Sequence, residues 1–591
     1  MSKLPSLQKV LNAAKKATLR FPLETITAIC GTIFAILFIQ QEHSQPEEFY
    51  IKAIMSCSLC LVWFVSVSLF FAAKQKNNSI LKYLISLAVG VLLIVFVFNF
   101  DKRISDVEAQ QFFVLNLALH LLVSFAGFLP RVYNQEEFWE FNKQLFLRIL
   151  TAGLYSIVLY GGLALAILAV DQLFKVKFDN KIYGYLFFII AGIFNTIFFL
   201  SGVPETNSKA FPLQLSYPKG LKNFTQFVLL PLVSIYLIIL ISYEAKILIT
   251  LSLPVGWVSY LVLAFAITGI LSFLLVHPIA EESGNLWMRT FNRWFYFLLV
   301  PLLALLFWAI LYRINLYGFT HERYYVLLLS VWLTVVVAYF LIQKHPQIKF
   351  IPISMCIAGL FSIIGPQSAN SISKYSQLLR FENYIQKVDG KKLTFEQEQE
   401  LSSIVYFLDR NYGFEVMLPY ANKKLDILYK KDKDPGSTQI MKSLGFEYRS
   451  EYDRKNDLNN SFHYYFYENN DDNVVNIHGY DFIFTVIQNN DFKCVNCLKI
   501  ENKTYSIKTK SKDYGLDLQI NQDIIPLKIN DFINTNPGFK NDYNSNIKIE
   551  QKIENSKYSV NITYLSANGT IEKDKKTPLN YQIKIMVGIK K

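Results

Sequence analysis

This sequence is short of charge. Only 18% of its 591 residues are Asp, Glu, Lys or Arg, where soluble chains run nearer a quarter. With 52% hydrophobic and 15% aromatic residues, that scarcity excludes both a soluble monomeric enzyme and a disordered chain. Catalytic signatures are missing as well. There is no Gly-rich Lys-Ser/Thr phosphate loop, no His-Glu-x-x-His and no Gly-x-Ser-x-Gly, so P-loop, zincin and serine-elbow chemistries have no support. Asp432-Lys433-Asp434 is followed by Pro435-Gly436, which marks a charged turn and not a metal or sugar-nucleotide site. No cofactor or metal is expected. Tryptophan is absent after Trp332, and the long apolar runs are confined to residues 21–365.

Those runs set the architecture. A helix rises about 1.5 Å per residue, so crossing the hydrocarbon core takes about 20 apolar residues. Such windows lie near residues 21–40, 51–73, 80–100, 111–129, 146–170, 182–200, 224–243, 255–276, 294–312, 323–342 and 348–365. That is roughly eleven spans, the last the shortest. Only Lys74 to Ser79 separate the second and third, which should form a tight antiparallel hairpin.

Orientation follows from the cations. The tail carries Lys3, Lys9, Lys15, Lys16 and Arg20. Alternate loops add Lys74, Lys76, Lys82, Arg131, Lys143, Lys209, Lys219, Lys222, Arg289, Arg293, Lys344 and Lys349. The opposite loops carry about half as many. The N-terminus is therefore expected in the cytoplasm. An odd number of spans then puts the C-terminal domain outside, in the periplasm of a Gram-negative cell. Residues 21–40 have full span length and no cleavage site, and read as an uncleaved anchor. Before them, Leu4, Leu7, Val10, Leu11 and Ala14 recur opposite Lys9, Lys15 and Lys16. That pattern fits a short helix on an anionic leaflet or a basic topology signal without structure of its own. Topology accounts for much of the net charge of +13, so no nucleic-acid partner is implied.

After Pro366 the composition turns polar. Ser371 to Val388 reads as an amphipathic helix with Ile372, Tyr375, Leu378, Leu379 and Phe381 on one face. Thr394 and Gln397 form a capping box opening the next helix, and a further helix is expected over Leu418 to Leu428. Beyond Pro435-Gly436, period-two runs such as Phe482–Ile487, Ile547–Glu550 and Ile583–Ile585 read as antiparallel strands. The expected organisation is a basic tail at 1–20, a transmembrane domain at 21–366, a helical linker at 367–434 and a β-rich domain at 435–591. The fold class is an α-helical polytopic membrane bundle followed by an α+β, β-rich extracytoplasmic domain. Cys30, Cys57, Cys60 and Cys356 fall in spans, as small apolar residues. Cys494 and Cys497 read as a local disulfide closing a hairpin at a strand end, with free thiols or a redox or metal role as alternatives.

Ionisable groups at membrane depth are the natural candidates for function, and they are few. Glu24, Arg148, Asp171 and Glu244 lie near span ends, where they can snorkel. His120 and Asn195 are deepest, and His120 reads as a helix–helix hydrogen bond. The densest polar stretch begins with Glu281, Glu282, Asn285, Arg289 and Arg293. It continues between the ninth and tenth spans with Arg313, Asn315, Tyr317, Gly318, Thr320, Glu322, Arg323 and Tyr324. Gly318 permits a reversal and Thr320 can cap the tenth span. The arginines suit either an anion or lipid-headgroup site or a rigid hairpin anchored in the interfacial belt.

Asn292-Arg293-Trp294-Phe295-Tyr296, Pro301-Leu302 and Arg313-x3-Tyr317-Gly318-x-Thr320-x2-Arg323-Tyr324 together resemble the domain-of-unknown-function 4153 family of bacterial membrane proteins. Asn142-x2-Leu145-Phe146-x-Arg148, Tyr217-Pro218-x-Gly220-Leu221, Leu401-x2-Ile404-x2-Phe407-Leu408, Gly445-Phe446 and Gly479-Tyr480-Asp481 are similar to its long form. The resemblance implies a many-span inner-membrane protein and no activity. The leading expectation is a non-catalytic scaffold or accessory subunit whose outer domain binds another envelope protein. A transporter or lipid-handling protein using Arg313 and Arg323 is the alternative. A membrane-embedded transferase, needing a carboxylate or His near Glu281, Glu282 or His321, is the third.

Overall fold

The computed structural model describes residues 7–41, 47–75, 79–101, 104–205, 215–250, 257–279, 286–387, 393–421, 423–453, 461–466, 477–488, 492–500, 503–539, 542–545, 547–572 and 575–590. The chain divides into two compact units. One comprises Met1–Lys391 with Ile404–Gly445, the other Lys392–Ser403 with Phe446–Lys591.

The first unit is helical. Among the described residues, ten helices are long and apolar enough to cross a membrane. They are α2 (Pro22–Gln40), α3 (Glu47–Ala73), α4 (Ile80–Phe98), α5 (Asp106–Ala126) and α6 (Gln135–Phe174). Next come two interrupted spans. In the first, α7 (Lys181–Phe188) and α8 (Asn195–Ser201) are joined by a π-helical turn at Ile189–Phe194. In the second, α9 (Lys219–Phe224) and α10 (Leu230–Thr250) are joined by another at Thr225–Leu229. Then follow α11 (Trp257–Val276), α12 (Leu286–Tyr317) and α13 (His321–Ile342). The turn before α10 has a covalent reason. Pro231 has no N–H to give the residue four earlier, and the wider turn accommodates the gap.

The eleventh window forms α14 (Phe350–Ile363), only 14 residues long. It runs antiparallel along α13 nonetheless. Tyr339 stacks on Phe350 at 4.0 Å, Trp332 Nε1 donates to Ser354 Oγ at 3.0 Å, and Tyr324 OH donates to Gln367 O at 2.7 Å. Its other face meets α5, where Gly359 lies against Ala118 and Val114 and the Cys356 thiol donates to Ala118 O. Small residues allow this approach, and in lipid such packing replaces the hydrophobic drive.

The basic tail is helical, as α1 (Leu7–Arg20). Arg20 donates to Val203 O at 2.7 Å and Pro204 O at 2.9 Å, which ties the tail to the end of α8. After α14 the chain turns into α15 (Ala369–Lys387). Its buried stripe is Ala369, Ser373, Gln377, Leu378, Phe381 and Ile385, whereas Tyr375 and Leu379 are exposed. The expected apolar face is thus rotated, because Gln377 is drawn inward as a hydrogen-bond donor. The Thr394–Gln397 capping box opens α16 (Phe395–Tyr412) as expected. The helix expected over Leu418–Leu428 does not form. Pro419 sits in a 3-10 turn at Phe414–Tyr420, and Lys423 takes a left-handed backbone before the short α17 (Asp426–Lys431). Asp432 Oδ1 accepts from Asp434 N, the charged turn read from the sequence. The unit closes with α18 (Ser437–Leu444).

The second unit is β-rich. Its strands are β1 (Ser461–Phe466), β2 (Phe482–Ile487), β3 (Lys493–Ile500), β4 (Lys503–Lys512), β5 (Gly515–Ile520), β6 (Asp523–Pro526), β7 (Asp542–Ser545), β8 (Ile549–Glu554), β9 (Tyr558–Glu572) and β10 (Lys575–Ile589), with α19 (Ile529–Thr535) after β6. One sheet has the order β2-β10-β9-β1-β7, with β8 also on β9, and the other β3-β4-β5-β6. All pairs are antiparallel except β1 with β7. Inward alternation at Tyr581, Ile583, Ile585 and Val587 meets Val560, Ile562 and Tyr564 of β9 in one core. Phe532 of α19 stacks on Tyr564 at 5.4 Å.

Candidate functional site

Two features of the helical unit carry chemistry, and they lie at opposite ends of the bundle. The first is a cavity of about 690 Å³ between α5, α6, α11, α13 and α14, bordered by the π-helical turn before α10. Ser124 near the end of α5, Trp139 near the start of α6 and Leu275 near the end of α11 place it toward the end of the bundle where α1 sits. Its wall is apolar, and the polar side chains in it have spent their donors. Ser124, Thr268 and Ser272 donate to carbonyls of their own helices. Asn142 donates to Ser124 O and Phe138 O. Trp139 Nε1 donates to Leu274 O and Trp332 Nε1 to Ser354 Oγ.

A buried ion pair closes the polar end. Lys143 Nζ donates to both Glu140 oxygens, at 2.7 and 2.8 Å, and to Ser216 O at 2.6 Å. Glu140 also accepts from Gln144 Nε2 and Ser216 N. Side-chain exposures of 6% and 2% would make the pair costly were its hydrogen bonds not filled. Trp139 stacks on Tyr217 at 5.4 Å, and Tyr217 OH donates to Leu275 O. The stretches Asn142–Arg148 and Tyr217–Leu221 thus meet at this end. In contrast, Leu117, Phe146, Phe224, Ile267 and Leu271 line the cavity while remaining exposed. The cavity therefore opens through apolar lips on the side of the bundle. Sequence reading placed Lys143 among the loop cations. The available signal was Glu140 three residues before it, at helical pairing distance.

The second feature is the α12–α13 hairpin. Gly318 reverses the chain with φ +67°. The carbonyls that end α12 are capped from two directions. Tyr317 O accepts from Arg323 Nη1 at 3.0 Å, from Arg380 Nη1 at 2.6 Å and from Gln377 Nε2 at 3.0 Å. Gly318 O accepts from Arg323 and Phe319 O from Gln377. Cations and donors at a helix C-terminus satisfy orphan carbonyls and the dipole, so Arg323 anchors the hairpin. Thr320 stands at the N-cap of α13, but its hydroxyl makes no cap bond, contrary to expectation. Tyr324 is buried and fixes Gln367. Arg313, one turn before Tyr317, makes no hydrogen bond or ion pair among the described residues. The structure thus brings together Arg313, Tyr317, Gly318, Thr320, Arg323 and Tyr324. It adds Gln377 and Arg380 from α15, which no sequence spacing connects to them.

The other candidates are dispersed. Glu281 and Glu282 lie outside the described residues, and Arg289 and Arg293 are exposed near the start of α12. His321 is buried at the start of α13, beside the opposite end of the 32-residue α12, with Nε2 2.9 Å from Tyr412 OH, whose proton goes to Asn370 O. Burial pushes the Tyr412 phenol well above its usual range. Glu24 does not snorkel: it is fully buried and accepts from Ser68 Oγ at 2.5 Å. Nor does Arg148, which donates to Phe198 O and Ser201 Oγ. His120 is exposed and bonds Asn116 O of its own helix, so it joins no helices. The interhelical contact there is Asn116 Nδ2 to Ser58 Oγ. Cys494 is disulfide-bonded. It is the second residue of β3, at the strand end expected from the sequence and beside a bulge, and Asn496 takes positive φ two residues on. The Cys497 side chain lies outside the described residues. Among the described residues, no group of three His, Cys, Asp or Glu is placed to hold a metal.

Known proteins place the chain without naming an activity. It is 25% identical over 399 residues to an uncharacterized protein of Pasteurella multocida (strain Pm70), a match covering 66% of this chain. The chain spans 62% of the length of that relative. No solved structure matches. The family described as Domain of unknown function (DUF4153) matches residues 59–393, more than half of the chain and a stretch that contains both the cavity and the arginine hairpin, and the chain belongs to that family.

Proposed function

We propose that this protein binds a membrane lipid or similar long-chain amphiphile by taking its hydrocarbon chain sideways into the cavity between α5, α6 and α11. The observation that carries this is the chemistry of the wall. Lips of exposed Leu, Ile and Phe face the hydrocarbon, and the polar side chains inside have no donor to spare. Such a cavity rewards a chain and penalises a polar guest, whose groups would go unpaired. Its volume falls within the range of about 300–1,000 Å³ usual for ligand sites. By the orientation read from Lys and Arg placement, the cavity serves the cytoplasmic leaflet of a bacterial inner membrane, with the β-rich unit in the periplasm.

The test is lipid extraction and mass spectrometry of protein purified in mild detergent, comparing wild type with Thr268→Trp. The indole fills the mouth from an exposed position on α11 and disturbs no buried contact. Wild type should retain a stoichiometric chain-bearing lipid and the variant should lose most of it. Equal retention by both would remove the reading. An accessory-subunit role is the second reading, favoured by α6. From Ile157 to Phe174 no position of that helix is buried, which leaves a full apolar face for another membrane protein. A native pull-down with a stoichiometric envelope partner would support it.

A further inference from the structure

At the far end of the bundle from the cavity, two guanidinium groups converge on one atom. Arg323 Nη1 and Arg380 Nη1 both lie within 3.0 Å of Tyr317 O. Arg323 also sits over the Tyr317 ring, 5.3 Å from its centroid. Arg313 precedes Tyr317 by four residues and so projects from the same face of α12. Both Arg313 and Arg380 lie within electrostatic range of Arg323. Like charges this close repel unless a counter-ion sits among them. The neighbouring carboxylate, Glu322, is in electrostatic range of Arg323 and partly offsets this repulsion. It faces Tyr260 OH at 3.4 Å and, like every other carboxylate among the described residues, forms no ion pair with Arg313 or Arg323. Among the described residues, capping uses the Nη1 edge of Arg323 alone, and Arg313 has no polar partner.

We propose that Arg313 and Arg323, backed by Arg380, bind one phosphate-bearing anion at the α12–α13 hairpin. The site lies where a span meets the interface, beside the exposed Tyr312 and Tyr317, which is headgroup depth. Planar guanidinium forks match phosphate oxygens in pairs. The ligand is an anionic phospholipid headgroup or a free phosphate. It is independent of the cavity, since the two sites occupy opposite ends of the bundle.

Arg313 makes the test clean, because removing it breaks no hydrogen bond among the described residues. The full chain is reconstituted in phosphatidylcholine nanodiscs with or without phosphatidylglycerol, and bound lipid is counted by native mass spectrometry. Inorganic phosphate is titrated in the phosphatidylcholine discs. Arg313→Gln should weaken phosphatidylglycerol retention about tenfold, the worth of one charge-assisted hydrogen bond, with the thermal midpoint unchanged. Arg313-dependent binding of phosphatidylglycerol but not phosphate assigns a lipid headgroup; Arg313-dependent binding of inorganic phosphate assigns a free anion. Wild type and Arg313→Gln behaving alike toward both probes would overturn the proposal.

Discussion

Tyr317 O shows how little freedom the hairpin has. One carbonyl oxygen has two lone pairs, yet three donors from two helices point at it. Position 318 has to pass beneath them. Its φ of +67° lies in the left-handed region, and a Cβ there would come within 2.7 Å of Arg380 Cδ and 2.8 Å of Ser376 Oγ. Gly318→Ala is therefore expected to destabilise by about 1–3 kcal/mol through backbone strain and the displaced caps. Thermal unfolding in detergent reads this as a midpoint several degrees lower. An unchanged midpoint would mean that the reversal is held by something other than this close approach. The need for Gly318 was legible in the sequence, as a break between two apolar runs. The caps were not, because Gln377 and Arg380 come from a helix some sixty residues later. No local pattern announces a donor that acts across that distance.

At the scale of helices and strands, period and length carried most of the information. The span windows and the β2 alternation were legible because burial or lipid on one side imposes a strict rhythm. Where tertiary partners intervened, the rhythm misled. α15 turned Gln377 inward against its apolar pattern, and Pro419 broke a helix that hydrophobic spacing favoured. The cavity left no sequence trace at all, since its lining residues are ordinary span residues contributed by separate helices. α14 is the instructive case. Fourteen residues rise only about 21 Å, so length alone disqualifies it as a span, and its neighbours qualify it. The contact that holds it is the small-residue seam with α5. Gly359→Leu adds a side chain where Ala118 Cβ and Val114 Cγ1 stand 3.6 Å from an added Cβ. Overpacking of this kind costs about 1–3 kcal/mol. The variant should therefore lose thermal stability, whereas Gly153→Leu, at an open position of α6, should not. Equal losses would point to helix propensity or expression and not to the seam.

Across the whole molecule, the status of α14 decides the sidedness of everything after it. The ten long apolar helices among the described residues return the chain to the side on which it began; an eleventh crossing sends it to the other. Three contacts argue for the crossing, because they pair the start of α14 with the end of α13 and the residues after α14 with the start of α13. Chain following Ile363 accordingly emerges beside the α12–α13 hairpin, where α15 supplies its caps. No further apolar run long enough to cross follows in the sequence. The N-terminus and Lys591 are thus expected on opposite faces of the membrane. Paired fusions measure this directly: a fluorescent protein that matures only in the cytoplasm at the N-terminus, and alkaline phosphatase, active only outside it, after Lys591. Fluorescence from the first and activity from the second is the expected pair. Fluorescence with an inactive phosphatase would put both ends inside and reduce α14 to a re-entrant helix. A dark N-terminal fusion with an inactive phosphatase would keep the odd number of crossings and reverse the orientation that Lys and Arg placement implies. In that case the cavity would serve the outer leaflet and the arginine hairpin the inner one.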